Sequence, residues 1–322
     1  MDELLAERYQ PVELIGTGGA ASVFRALDRN LGRDVAIKVF NPTTSDDDDY
    51  RRQHTETMLL STLNHPGLVT LHDAGLQEDG SGKTTSFLVM ELVDGLDLRK
   101  LLKSGPLPSE HVAQLGADLA DALAYIHSQG VIHRDVKPAN ILMYHSGEHE
   151  TRLYPKLTDF GIARMVEATH STAHGATIGT ANYLSPEQAE GTAVEPRSDI
   201  YSLGLVLLEC LTGEKAFPGP VVEAAVARLL RDPEIPESLG ADWVSLLTRM
   251  TARDPRARPD SHEVAVALRA LGSDKDDDGA AMTLNLPAPS EVATDTPDVI
   301  TGGVTTGNVH IPEPPSRAPS LG

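Results

Sequence analysis

The feature that most limits the fold is a change of texture near Pro108. Before it, short apolar stretches alternate with turns: residues 9–15, the break Gly16-Thr17-Gly18-Gly19, residues 22–26, the turn Asn30-Leu31-Gly32, and the alternating run 34–40. Period-two patterning bounded by glycine turns predicts strands. Residues 69–71 and 87–91 predict two more short strands. One helix is expected over 51–63, with Met58, Leu59 and Leu63 at helical spacing and Glu56 among them. After Pro108 the spacing turns helical. Ser109 is placed to cap a helix through His127, with Val112, Leu115, Leu119, Ala122, Leu123 and Ile126 along one face. Residues 198–211 predict a strongly apolar helix, and helical stretches continue to Leu271. A strand-rich half followed by a helical half predicts a cleft between two unlike lobes, where ligands usually sit.

Composition narrows what such a cleft serves. Among 322 residues, 27 Lys and Arg face 47 Asp and Glu, for a formal net charge of −20. That field repels phosphate backbones and anionic membranes, which argues against nucleic acid as a partner. The single cysteine, Cys210, cannot form an internal disulfide or a thiolate metal cage. No apolar run approaches the ~18 residues of a membrane span, and the acidic start Met1-Asp2-Glu3 is unlike a secretory leader. A soluble, cytoplasmic chain is expected. From Ser273 to Gly322, eight acids stand against two bases, with seven prolines and no Phe, Tyr or Trp. Such a segment cannot bury enough apolar surface to offset its ordering entropy, so a disordered tail is expected.

Three motifs carry chemistry. Gly16 and Gly18 would let a strand–turn–strand bring backbone N–H groups against phosphates. A strand follows rather than a helix, and Ala21 stands where a third glycine would be, so this is no dinucleotide-binding fingerprint. Lys38 closes the apolar run Val35-Ala36-Ile37-Lys38 and needs an anionic partner there, for which Glu56 is the candidate. The most specific signal is His133-Arg134-Asp135-Val136-Lys137-Pro138-Ala139-Asn140. Asp135 can accept a hydroxyl proton, Lys137 can neutralise a γ-phosphate, and Asn140 can ligate Mg²⁺ through its amide oxygen. Nineteen residues on, Asp159-Phe160-Gly161 supplies a second hard oxygen. Three patterns are decoys. Gly80-Ser81-Gly82-Lys83-Thr84 lacks the first glycine of a phosphate-binding loop. Asp274-Lys275-Asp276-Asp277-Asp278-Gly279 has Asn285 where a calcium loop needs its glutamate. His170 and His174 lie in a polar stretch that favours solvated imidazoles over zinc.

These residues, in this order, resemble the bacterial eukaryotic-like (Hanks-type) serine/threonine protein kinases over about residues 9–271. The texture of Leu63-Asn64-His65-Pro66, Ile178-Gly179-Thr180 and Leu184-Ser185-Pro186-Glu187-Gln188-Ala189 is most similar to the actinobacterial branch. The resemblance implies an α+β, bilobal protein kinase fold, with an antiparallel-sheet N-lobe carrying one key helix and a mainly helical C-lobe. The expected division is an extension over 1–8, N-lobe and hinge over 9–93, C-lobe over 94–272 and tail over 273–322. It further implies ATP with Mg²⁺, for which Mn²⁺ can substitute. Asp135 would be the catalytic base, Lys38 would pair with Glu56 and the phosphates, and Asn140 and Asp159 would hold the metal. Thr180 would orient Asp135 and Lys137. Ile15, Gly16, Gly18, Val23, Ala36 and Leu142 would surround the nucleotide, with Met90 as gatekeeper and backbone groups of Glu91 and Val93 at the adenine edge. Lys137, two residues after Asp135, marks Ser/Thr rather than Tyr specificity in the family. Asp199 matches the helix that braces the catalytic loop, and Arg258 matches the partner of Glu187.

The departures are Ala21, Ser185 in place of an alanine, and two longer stretches, 77–86 and 144–155, expected as surface loops. Arg134 beside Asp135 implies that phosphate on the activation segment orders that loop. Thr169, Ser171, Thr172 and Thr177 are the candidate sites of autophosphorylation. Expected partners are proteins offering Ser or Thr, phosphopeptide-binding (FHA-type) proteins at a phosphorylated tail that is otherwise a plain linker, and a second copy through the N-lobe. Two other functions remain open at this point, a small-molecule phosphotransferase and a catalytically silent nucleotide-binding scaffold. The first lacks the segment from Gly179 to Glu187 with its Arg258 partner; the second usually lacks one of Lys38, Asp135, Asn140 or Asp159.

Overall fold

The alternating stretches before Pro108 do build an antiparallel sheet. The computed structural model describes residues 4–18, 21–40, 62–78, 84–146, 152–159 and 181–273. Strands β1 (Tyr9–Thr17), β2 (Ala21–Asp28), β3 (Arg33–Phe40), β4 (Leu71–Glu78) and β5 (Thr84–Met90) are ordered β1-β2-β3-β5-β4. Alternation divides the sheet into two faces. On one, Tyr9, Ala26, Val35, Ile37, Phe87 and Val89 form a buried cluster, with Tyr9 edge-on to Phe87 at 6.3 Å between centroids. On the other, Val23 pairs with Lys38 and Ala36 with Met90, so these four side chains lie on a common surface. Gly75 crosses the cluster so closely that a Cβ there would stand 2.5 Å from the Phe87 ring. The residues before β1 are tied down by Arg8, whose guanidinium forks onto Asp28 at 2.8 and 2.7 Å. The buried Asp28 carboxylate also accepts the N–H groups of Asn30 and Leu31 in the β2–β3 turn.

Both stretches expected as surface loops begin and end in strand. Gln77 pairs with Thr85 and Glu78 with Thr84, so only residues 79–83 separate β4 from β5; the β-branched threonines favour the pleated backbone. Likewise Tyr144 pairs with Tyr154 where β7 (Ile141–His145) meets β8 (Leu153–Leu157). Their rings pack 6.0 Å apart, a cross-strand aromatic pair that extends the ladder. With β6 (Gly95–Asp97) these make a second sheet, ordered β6-β7-β8.

The helical half contains α1 (Leu98–Leu101), α2 (Ser109–Ser128), α3 (Pro186–Glu190), α4 (Pro196–Thr212), α5 (Val221–Leu230), α6 (Ala241–Met250) and α7 (Ser261–Ser273). Ser109 does not cap α2. Pro108 takes that position, and Ser109 Oγ instead accepts the Trp243 indole N–H at 2.7 Å. Every residue of α4 from Ser198 to Cys210 is buried, and α2 and α6 pack against it. Gly116 of α2 lets Leu207 and Leu268 approach until a Cβ would lie 2.9 Å from each. One further contact joins the halves. Leu157 of β8 donates its N–H to Gly67 O at 2.8 Å, and Val69 donates to Leu157 O at 2.9 Å, a parallel bridge just before β4.

Candidate active site

The segment linking α2 to β7 carries the motif of His133, Asp135 and Asn140, and α4 sets its shape. Asp199, buried in the first turn of α4, accepts the His133 N–H on Oδ2 and the Arg134 N–H on Oδ1, both at 2.8 Å. These bonds hold Arg134 at φ 66°, a left-handed conformation that costs a residue with a Cβ about 1–2 kcal/mol. His127 at the end of α2 bridges Asp199 Oδ2 and Ser261 Oγ through its two ring nitrogens, at 2.8 and 2.7 Å. His133 is fully buried, and burial pushes its pKa below the usual imidazole value. Its Nδ1 accepts the Asp135 N–H at 3.3 Å while Nε2 faces Thr158 O at 3.1 Å, the pattern of a neutral ring protonated on Nε2.

The turn that follows gathers three polar side chains. Lys137 Nζ lies 2.7 Å from Asp135 Oδ2, and Asn140 Nδ2 donates to the same oxygen and to the Asp135 main-chain oxygen, each at 2.9 Å. Across the cleft, Lys38 of β3 meets Asp159 Oδ1 at 2.7 Å. Asp159 also has a left-handed backbone, φ 59°, so two of the four described non-glycine residues with positive φ belong to this site. Thr158 donates its N–H to Asn140 O at 3.0 Å, which keeps Asn140 and Asp159 in register. With Nδ2 of Asn140 turned to Asp135, its amide oxygen and the Asp159 carboxylate are the hard donors available to a cation. Among the described residues no three His, Cys, Asp or Glu form a metal cage. One carboxylate plus one amide fits Mg²⁺, which keeps waters and takes its other ligands from substrate phosphates.

Of the residues expected around a nucleotide, Val23, Ala36 and Met90 lie on the surface that Lys38 shares. Gly16 faces Val23 across the β1–β2 ladder, where a Cβ would sit 3.7 Å from the valine. Gly18 closes the turn by donating its N–H to Ala21 O at 2.8 Å, and Ile15 is 44% exposed near the tip. Ala36 and Met90 are cross-strand neighbours, and Leu142 is on β7 opposite Lys156. Glu91 and Val93 fall in the link after β5. The Glu91 N–H is already given to Thr70 O at 2.8 Å, which leaves its carbonyl for a ligand. Glu56, Thr180, Thr169, Ser171, Thr172, Thr177, the histidines 170 and 174, both loop decoys apart from Thr84, and the tail beyond Ser273 lie outside the described residues.

Below the cleft, Arg258 forks onto Glu187 at 2.7 and 2.9 Å with both groups buried. Ser185, a departure from the family pattern, caps α3 by taking the Gln188 N–H, and Gln188 Oε1 accepts the Ser185 N–H at 3.0 Å. The same Gln188 donates Nε2 to Arg134 O at 2.8 Å, coupling α3 to the loop that carries Asp135. Nothing in the sequence motif marks Gln188 or His127 for these contacts. A sequence profile of the protein kinase domain matches residues 9–267, nearly the whole of both lobes. The chain belongs to the protein kinase family. It is 39% identical over 274 residues to serine/threonine-protein kinase PknB of Mycobacterium leprae, covering 83% of this chain and 42% of that one. It is 39% identical over 275 residues to PknB of Mycobacterium tuberculosis, with the same coverage. To PknA of M. tuberculosis it is 40% identical over 259 residues, 79% of this chain and 58% of the relative. The match thus spans less than half the length of the PknB relatives. Family membership implies use of ATP and a divalent metal, and no helix among the described residues is long and apolar enough to cross a membrane.

Proposed function

We propose that the chain transfers the γ-phosphoryl group of ATP to serine and threonine hydroxyls of proteins. The observation that carries this reading is the convergence of Asp135, Lys137, Asn140 and Asp159 on one side of the cleft with Lys38 on the other. Phosphoryl transfer asks mainly for positioning and charge neutralisation. Asp135 takes the proton of the attacking hydroxyl as its oxygen bonds the γ-phosphorus. The bond from that phosphorus to the bridging oxygen breaks, and ADP leaves. Lys137, beside the base, offsets negative charge on the group in flight, and Lys38 orients the α- and β-phosphates. Asn140 and Asp159 would hold Mg²⁺, or Mn²⁺ in its place, which would supply positive charge against the negative charge of the phosphates. In the test, Asp135→Asn abolishes transfer of radiolabel from ATP to a protein substrate yet retains nucleotide binding. Undiminished labelling by that variant would overturn the reading.

Regulation follows the same chemistry. Arg134 adjoins the base, and phosphate on Thr169, Ser171, Thr172 or Thr177 would recruit its guanidinium. The chain is expected to phosphorylate itself there and to run faster once it has; unchanged activity after alanine replacement at all four positions would rule this out. Threonines of the tail, such as Thr294 and Thr296, are proposed as autophosphorylated docking sites for FHA-type phosphopeptide-binding partners, and the N-lobe as a self-association surface.

A further inference from the structure

A buried cation stands beside the nucleotide site without belonging to the machinery above. Lys156, on β8, is 8% exposed. Both carboxylate oxygens of Glu91 lie 2.8 Å from its Nζ, the Leu68 carbonyl lies at 3.4 Å, and the Tyr144 ring centroid lies at 5.5 Å. Withdrawing an ammonium from water is costly, and an apolar side chain of similar volume would fill this place without that cost. What the cation adds is the anchoring of Glu91. The Glu91 carboxylate also accepts the Thr70 N–H at 3.2 Å, and the Glu91 N–H donates to Thr70 O at 2.8 Å. Glu91 is therefore fastened through its amide and its side chain, to the approach to β4 on one side and to β8 on the other. Its carbonyl projects from a fixed frame.

We propose that Lys156 is a positioning residue for the purine base: by clamping Glu91 it aims the Glu91 carbonyl at the exocyclic amino group of adenine. This rests on the kinase reading above and deepens it. The contacts of Lys156 are with Glu91, Leu68 and Tyr144, none of them assigned to the phosphates or the reacting hydroxyl, so its influence falls on the base.

The test uses the full chain and two probes that divide the nucleotide, adenosine for the base half and magnesium tripolyphosphate for the phosphate half. In Lys156→Met, KM for ATP rises about 3- to 10-fold, the worth of one well-aimed hydrogen bond, while kcat at saturating ATP is retained. The inhibition constant of adenosine rises by the same factor and that of tripolyphosphate does not move. Lys156→Arg, whose fork can reach both carboxylate oxygens, restores most of the adenosine affinity. Should the methionine variant not fold, Glu91→Gln breaks the same clamp and gives the same adenosine-selective loss. Unchanged adenosine affinity, or equal losses for both probes, overturns the inference. Should the unmodified chain bind neither probe, the kinase reading itself fails; should it bind both while the variant behaves like it, only the role of Lys156 is lost.

Discussion

Asp199 shows how a single side chain sets the loop that carries His133, Arg134 and Asp135. It offers two oxygens to two consecutive buried N–H groups and so holds Arg134 in a conformation the residue would otherwise leave. Asp199→Ala strands both donors, at about 1–3 kcal/mol each, and lets the backbone beside Asp135 relax. Urea unfolding is expected to show the stability loss, and kcat to fall in the molecules that remain folded; a variant with full kcat would show that the loop keeps its shape unaided. At this scale the sequence was legible wherever chemistry resides in one residue type at one spacing. Asp135, Lys137 and Asn140 fall within six consecutive positions, and the structure brings them within hydrogen-bonding distance of one another. His127 was not legible, because its partners Asp199 and Ser261 are 72 and 134 residues away and a helix-terminal histidine carries no local mark of either. The need of Lys38 for an anion was readable, but the described carboxylate that meets it, on Asp159, lies 121 residues on.

Elements are held to one another by a few buried polar bonds and by close approaches that only glycine allows. The Glu187–Arg258 fork joins α3 to the chain ahead of α7. Arg258→Met leaves the Glu187 carboxylate buried without its counter-ion, a loss of about 3–5 kcal/mol. Replacing Glu187 with methionine as well is expected to recover much of it, and a double-mutant cycle by denaturation measures how much. Gly75→Ala drives a methyl into Phe87 and is expected to cost about 1–3 kcal/mol as overpacking; the cost shrinks when Phe87→Leu makes room. Strand periodicity and helical spacing were enough to anticipate a sheet followed by helices. They did not place element ends. Polar strands such as Gln77–Glu78 and Thr84–Thr85 take their structure from the partner ladder rather than from a hydrophobic pattern. Ser109 reads as a cap until Trp243, distant in sequence, claims its hydroxyl.

Across the whole molecule, several buried titratable groups pull stability in different directions as pH changes. The Arg8 guanidinium holds the Asp28 pKa down from 3.8 to about 2. Its stabilisation is whole above about pH 4 and drains as pH falls toward 2. Burial raises Glu187, but its bonds from Arg258 and Ser198 outweigh that and keep it below the ordinary value, so it acts in the same sense. His133, kept neutral by burial, adds a loss that begins as pH drops below the usual imidazole value of about 6.5. Glu209, raised by burial despite the Tyr183 hydroxyl, works the opposite way, taking up its proton more readily folded than unfolded. Urea midpoints between pH 6 and 2 are expected to fall for the unmodified chain, and Asp28→Asn to start lower at pH 6 and flatten the last part of that decline. A parallel slope in the variant would show that Asp28 does not drive it. The backbone exchange of Gly67 and Val69 with Leu157 carries a mechanical consequence at this scale. It lays an axle two residues from Asp159. A turn of the sheet about it would leave Asp159 with Asn140, whose carbonyl takes the Thr158 N–H, and would pull on the contact between Lys38 and Asp159.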